Sequence, residues 1–241
     1  MTAPGALSGR LAVVTGASRG IGRAIATALS LAGARVALVA RGAPALVDAA
    51  AALGNGAHPF VADASDPADV TRLVEAITQH YGRAPDLAVS NAGLFQVAPA
   101  HELTAEAFAA TVQVNLVAPF LLARALLPRM RAAGRGHLIT IGSIADRSIF
   151  PENAAYAAAK HGVRALHEVW RAELTGTGVR ASLVSPGPVD TALWNEVLAE
   201  GRPGYPPRSA MLPPSAVADA VLWVATRPDD VNIDELRLTR S

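Results

Sequence analysis

The stretch LAVVTGASRGIG, residues 11–22, joins three local signals. Leu11 to Thr15 is a short apolar run, as expected of a strand buried on both faces. Gly16, Gly20 and Gly22 then punctuate a turn. After it, Ile21, Ile25, Ala28, Leu29 and Ala32 recur at helical spacing. Strand, glycine-rich turn and helix form the setting that a phosphate-binding loop needs. Gly16 allows the tight turn, Gly20 lets the backbone approach a pyrophosphate, and Gly22 lets the helix pack closely on the strand. The spacing is G-x-x-x-G-x-G, and the missing G-K-[ST] excludes a P-loop.

Outward from this unit, strands and helices alternate. Residues 33–41 read as a second strand, 43–53 as a helix, 58–62 as a third strand and 67–81 as a helix. A fourth strand at 86–90 leads into Asn91, Ala92 and Gly93, a small turn that leaves room beside a ligand. A long helical pattern runs from about Thr104 to Met130 with Pro119 inside it. Strands follow at 136–142, 179–185 and 233–238, with helices at 153–175 and 214–226. Residues 192–213, which hold Trp194 and Tyr205, read as a lid over a substrate. Alternation of this kind predicts a doubly wound α/β sheet.

Of 241 residues, 51% are apolar and 17% charged, and the net charge is +1. No basic run or stripe appears, so nucleic acid is not an expected partner. There is no cysteine and the six histidines are scattered, so no metal site is expected. No uninterrupted apolar stretch reaches about 18 residues, and the first residues lack the basic region of a signal peptide. A cytoplasmic protein of one domain, residues 1–241, without membrane partners is the expectation.

The chemistry concentrates around Tyr156 and Lys160, with Ser143 thirteen residues before the tyrosine. Tyr and Lys at i and i+4 share one helix face. An ammonium near a phenol favours the phenolate and is expected to lower the Tyr156 pKa toward working pH. That makes a proton donor and acceptor for an alcohol or carbonyl oxygen, which Ser143 could also hold. The chain has 20 Arg and one Lys, which is Lys160. Generic positive charge is thus supplied by Arg, and the lone Lys marks a position needing a compact, tunable ammonium. On this helix Val163, Trp170 and Leu174 follow the inward direction. Ala154, Ala158, Ala165, Val169 and Ala172 line the opposite side, a smooth back that invites another helix.

Other residues have assignable roles at strand ends. An NAD site would place an acid after the second strand to bind the ribose 2′-hydroxyl. Ala40 and Arg41 stand there instead, and Arg19 lies within reach in the glycine turn. Two guanidiniums suit a 2′-phosphate, which favours NADP(H) over NAD(H). Asp63 either accepts from an adenine amino group or serves turn chemistry. Asn115, polar among apolar neighbours, either stabilises a kink at Pro119 or holds a water near Lys160.

Together these residues resemble the short-chain dehydrogenase/reductase family in its compact form, along essentially the whole chain. Thr15 to Gly22, with Ser18 and Ile21, resembles its cofactor turn, and Asn91 to Gly93 its fourth-strand motif, with Ser90 where the family often has Asn. Asn115, Ser143, Tyr156 and Lys160 match its catalytic tetrad. Pro186, Gly187, Val189 and Thr191 match the loop that holds the nicotinamide carboxamide. The resemblance implies a single-domain Rossmann-type sheet of seven parallel strands with helices on both faces. It also implies a homotetramer or homodimer joined partly through the Tyr156 helix. The implied activity is NADP(H)-dependent interconversion of a small-molecule carbonyl and a secondary alcohol, with Tyr156 as general acid/base. The alternative is a non-catalytic NADP(H)-binding regulator on the same fold, which would have no need of Tyr156. The expected substrate walls are Leu94, Phe95, Ala145, Ile149, Phe150, Asn153, Trp194 and Met211, with Asp146 and Glu152 near the rim.

Overall fold

A computed structural model describes residues 5–199 and 204–241. Its centre is one sheet of seven strands in the order β3-β2-β1-β4-β5-β6-β7, every pairing parallel. The strands are β1 (Leu11–Thr15), β2 (Arg35–Ala40), β3 (His58–Val61), β4 (Leu87–Ser90), β5 (Gly136–Ile141), β6 (Val179–Pro186) and β7 (Glu235–Leu238). Helices α1 (Gly20–Leu31), α2 (Ala43–Leu53) and α8 (Pro214–Ala225) cover one face. Helices α3 (Pro67–Tyr81), α5 (Ala118–Ala132) and α6 (Ala154–Leu174) cover the other. Two short helices, α4 (Ala105–Val112) and α7 (Asn195–Ala199), complete the set.

Successive strand side chains point to opposite faces, so each central strand feeds two cores. In β1, Ala12 and Val14 pack with Ile25 and Leu29 of α1 and Val221 of α8. Leu11 and Val13 face Ile77 of α3, Leu126 of α5 and Trp170 of α6. This double burial is why β1 is apolar at four of five positions. Each fully buried leucine contributes about 1.5–3 kcal/mol relative to exposure. Helix α3 starts where the sequence says it should. Pro67 occupies its first position, and the Asp66 carboxylate accepts from Asp69 N at 2.7 Å.

The long helix expected from Thr104 to Met130 is instead two α-helices joined by a π turn over Gln113–Val117. The cause is Pro119. Proline has no N–H and its ring crowds the carbonyl four residues back, here that of Asn115. The chain widens by a residue, with Ala118 N donating to the Gln113 carbonyl, and α5 restarts with Pro119 in its first turn. The span Ala105–Ala132 is long and apolar enough to cross a membrane by composition alone. In the fold its Leu122, Leu126 and Met130 are buried against the sheet, which makes it a core element.

Strand order reverses between β1 and β4, so the loops after these strands diverge and open a crevice at the strands' C-terminal ends. Gly16 and Gly20 sit there at φ +66° and +56°, the left-handed region that favours glycine. A Cβ at Gly22 would overlap the Gly16 carbonyl oxygen, so α1 packs against the turn as closely as backbone allows.

Candidate active site

The crevice consists of two adjoining cavities, of about 440 and 670 Å³. Gly16, Ser18, Arg19, Gly20, Arg41, Asp63 and Ala92 line the larger. Asn115, Ser143, Tyr156, Lys160, Pro186, Gly187 and Val189 line the smaller. Ile21, Asn91, Gly93 and Thr191 border both. The residues singled out from the sequence therefore meet in one crevice. Gly22 is the exception: it lines neither cavity and serves the packing of the turn behind them.

The larger cavity is built from open backbone. Arg19 caps α1 with extended backbone and its side chain makes no capping bond, so the first-turn N–H groups face the crevice. The turn is tied to β4. Thr15 Oγ1 accepts from Asn91 N at 3.0 Å and Ala92 N at 3.1 Å, and Asn91 Nδ2 donates to the Thr15 carbonyl at 2.9 Å. Thr15 thus holds the two loops together, a role its place at a strand end did not announce. A helix N-terminus and bare glycine backbone fit a pyrophosphate. Among the described residues, the side chains of Arg19 and Arg41 make no hydrogen bond or ion pair. Asp63 accepts from Ser65 Oγ at 2.6 Å, and that bond, with help from the Arg41 charge, holds its carboxyl below the usual range. Its structural bond is a turn bond, although the side chain still borders the cavity.

The smaller cavity carries the serine, tyrosine and lysine. Ser143 follows β5 and opens a 3₁₀ turn over Ile144–Asp146, its Oγ accepting from Ala145 N at 3.1 Å. Tyr156 stands in the first turn of α6 with Lys160 one turn on. Lys160 is 5% exposed and its Nζ donates to the Ile141 carbonyl at 2.9 Å, at the end of β5. Burial lowers its pKa to about 8, against the Asp146 charge that favours the ammonium.

The expected lowering of the Tyr156 pKa by Lys160 is not what the structure has. Burial pushes the phenol up, the Ser143 hydroxyl pulls it the other way, and the Asp146 charge pushes it up again. Lys160 Nζ stands 5.6 Å from the ring centroid, is fixed on a carbonyl and is itself penalised by burial. Its pull on the phenol is correspondingly weak.

Asn115 sits in the π turn, buried, with Nδ2 donating to the carbonyls of Leu94 at 2.7 Å and Thr111 at 2.9 Å. Its Oδ1 is buried without a partner. Such an acceptor calls for a donor that the described protein atoms do not supply. A Cβ at Gly93 would lie 3.2 Å from it, so the glycine keeps that space open.

Three expected wall residues differ. Asp146 is 0% exposed rather than at the rim. It accepts from Ser185 Oγ and from Arg147 Nε at 2.8 Å, and Arg147 continues to Glu235 at 2.9 Å. Met211 is buried outside the cavity, and Ile149 is 75% exposed beside it. Leu94, Phe95, Ala145, Phe150, Asn153 and Trp194 do line it. The expected lid is described except for residues 200–203, which lie outside the described residues. Trp194 and Tyr205 from this segment stand on the cavity wall.

Residues 10–201 match the family described as short chain dehydrogenase. The chain is 37% identical over 230 residues to a D-threitol dehydrogenase of Mycolicibacterium smegmatis, covering 91% of this chain and 87% of that protein. Among solved structures, an alcohol dehydrogenase from Thermococcus sibiricus complexed with 5-hydroxy-NADP superposes with a TM-score of 0.84 at 32% identity, covering 96% of each chain. A metagenomic short-chain oxidoreductase in complex with NADP gives 0.83 at 35% identity, covering 98% of this chain and 99% of the other.

Proposed function

The chain belongs to the short-chain dehydrogenase/reductase family, and from that premise we propose that it interconverts a carbonyl and a secondary alcohol with NADP(H). One observation carries the reading. Ser143, Tyr156 and Lys160 reach a single cavity floor from two elements, β5's end and α6, beside a glycine turn with an open helix N-terminus. When bound, the reduced nicotinamide supplies the hydride gained by the carbonyl carbon, and its oxidised form accepts that hydride in reverse.

The remaining chemistry belongs to the chain's own residues. Tyr156 gives its phenolic proton to the carbonyl oxygen in reduction and takes the hydroxyl proton in oxidation. A phenol held up by burial keeps its proton at working pH, so it is present to be passed to the more basic alkoxide as that develops, and the Ser143 hydroxyl stabilises the same oxygen. Lys160 keeps a positive charge under the site and would meet the nicotinamide ribose. Asn115 Oδ1, buried and unpartnered, would hold a water that relays protons toward Lys160. Gly16, Ser18, Gly20 and Ile21 would cradle the pyrophosphate, and Asp63 the adenine. Pro186, Gly187, Val189 and Thr191 would face the nicotinamide. Arg19 and Arg41 would grip the 2′-phosphate, a reading supported by the two solved relatives carrying NADP or its 5-hydroxy form.

We assign the assembly to the exposed back of α6. Ala154, Ala158, Ala165, Val169 and Ala172 are all exposed, and no other described element covers them. A small-residue face lets a second copy approach closely about a two-fold axis. A homodimer or homotetramer follows.

Tyr156→Phe removes only the proton transfer. It should bind NADPH like wild type and lose turnover by at least about a hundredfold. Turnover matching wild type would defeat the reading. Arg41→Ala should weaken NADPH about ten- to a hundredfold, since a charged hydrogen bond contributes about 1.5–3 kcal/mol, and leave NADH nearly unchanged. Equal wild-type affinities for the two cofactors would contradict the assignment. Ala165→Glu should lower the mass seen by light scattering. A monomeric wild type, or an unchanged mass for the variant, would reject the interface.

A further inference from the structure

Beside the reacting groups lies a carboxylate that the proposed reaction does not use. Asp146 closes the 3₁₀ turn opened by Ser143, and its N–H donates to the Ser143 carbonyl at 2.9 Å. Its side chain is wholly buried. Oδ2 accepts from Ser185 Oγ on β6, and Oδ1 accepts from Arg147 Nε at 2.8 Å. A Cβ placed on Gly142 would lie 3.0 Å from Oδ2. Gly142 separates Ile141, whose carbonyl takes Lys160, from Ser143. The carboxylate therefore lies against the backbone that carries both the lysine's acceptor and the serine.

These bonds do not by themselves require a charge. An asparagine has the same shape. Its oxygen would accept from Arg147, and its amide would donate to a turned Ser185 hydroxyl. Arg147 would keep Glu235, which accepts from it at 2.9 Å. Burying a carboxylate is costly, and a neutral replacement for a buried ion is often no less stable. The charge does act on the reacting groups. Burial raises the Tyr156 phenol and lowers the Lys160 ammonium, and the Asp146 charge then raises both. The other charged and titratable groups nearby are fixed elsewhere. Glu235 of β7 also takes Arg164 of α6 at 3.5 Å, His167 of α6 faces Glu235, and Arg237 follows on the same strand. His137 and Arg180 lie toward the opposite ends of β5 and β6, and Glu152 in the cavity wall accepts from Tyr205.

We propose that Asp146 is a positioning residue for the reaction: aimed by Ser185 and Arg147, its buried charge keeps the proton on Tyr156 and the ammonium on Lys160 together in one resting site. The inference rests on the reaction assigned above. Reduction needs both at once, a proton to give and a cation beside it. Burial alone would keep the phenol protonated but discharge the lysine. A fixed anion at Gly142 opposes the second effect while adding to the first.

The test follows both groups by NMR across pH on the full chain, so it needs no substrate. The side-chain ¹⁵N signal of the single lysine reports Lys160. Among the three ¹³Cζ-tyrosine signals, the one lost in Tyr156→Phe reports Tyr156. Asp146→Asn should move both titrations down by about one unit, the lysine starting from about 8. Arg147→Gln removes the cation beside the carboxylate and should move both up. A merely structural turn would not shift two groups in one direction, nor reverse that direction between variants. Unmoved titrations in Asp146→Asn, or Lys160 and Tyr156 moving oppositely, overturn the inference. If Asp146→Asn does not fold, Arg147→Gln decides: both titrations rising supports the inference, and unmoved or falling ones overturn it. If the titrations stay fixed while Tyr156→Phe loses turnover, the inference fails and the reaction stands. If they move as stated but Tyr156→Phe turns over like wild type, the reaction fails, and with it the role of Asp146 in that reaction.

Discussion

A buried ammonium on a carbonyl oxygen, Lys160 Nζ to Ile141 O at 2.9 Å, is the contact on which the site depends. An isolated buried charge costs several kcal/mol, so this one must be paired or hydrogen-bonded. The partner available is the end of β5, one of the central strands. Accepting from Lys160 there fixes the rotation of α6 against the sheet. Tyr156, one turn earlier on α6, is then aimed at Ser143, two residues past Ile141. Asp146 supports the arrangement from below. Its carboxylate favours the Lys160 ammonium and is itself tied through Arg147 to Glu235 on β7.

The rest of the site follows from sheet topology. The loops after β1 and β4 part where strand order reverses, and the Thr15 hydroxyl ties them at one level. The π turn forced by Pro119 brings Asn115 in from a third direction, with an acceptor left over. A proline that looks like a helix defect thus shapes a functional position. The same frame leaves the cavity's outer wall to Trp194 and Tyr205, in the segment that differs most readily between chains of one fold.

Much of this was legible in the chain. The buried strands announce themselves as continuous apolar runs because both faces of the sheet are covered. The glycine turn announces its helix, and the scarcity of lysine singles out Lys160. What was not legible has physical reasons. The π turn arises from a clash four residues away that residue patterning does not register. Asp146 opens the polar triplet Asp146-Arg147-Ser148, so it reads as a rim residue, and only the fold of the 3₁₀ turn buries it. Met211 and Ile149 have the right chemistry for a wall, but their directions are set by tertiary packing. The effect of Lys160 on Tyr156 was expected from spacing alone, and spacing says nothing of the desolvation that raises the phenol and weakens the ammonium.

The single lysine allows the central contact to be measured directly. Labelling the chain with ¹⁵N-lysine leaves one side-chain amine signal, which reports Lys160 alone. Followed across pH, that signal should titrate near 8, because burial disfavours the charged form, so the ammonium holds below that pH and is lost above it. A titration near 10.5, the ordinary lysine value, would place the amine in water and contradict the account.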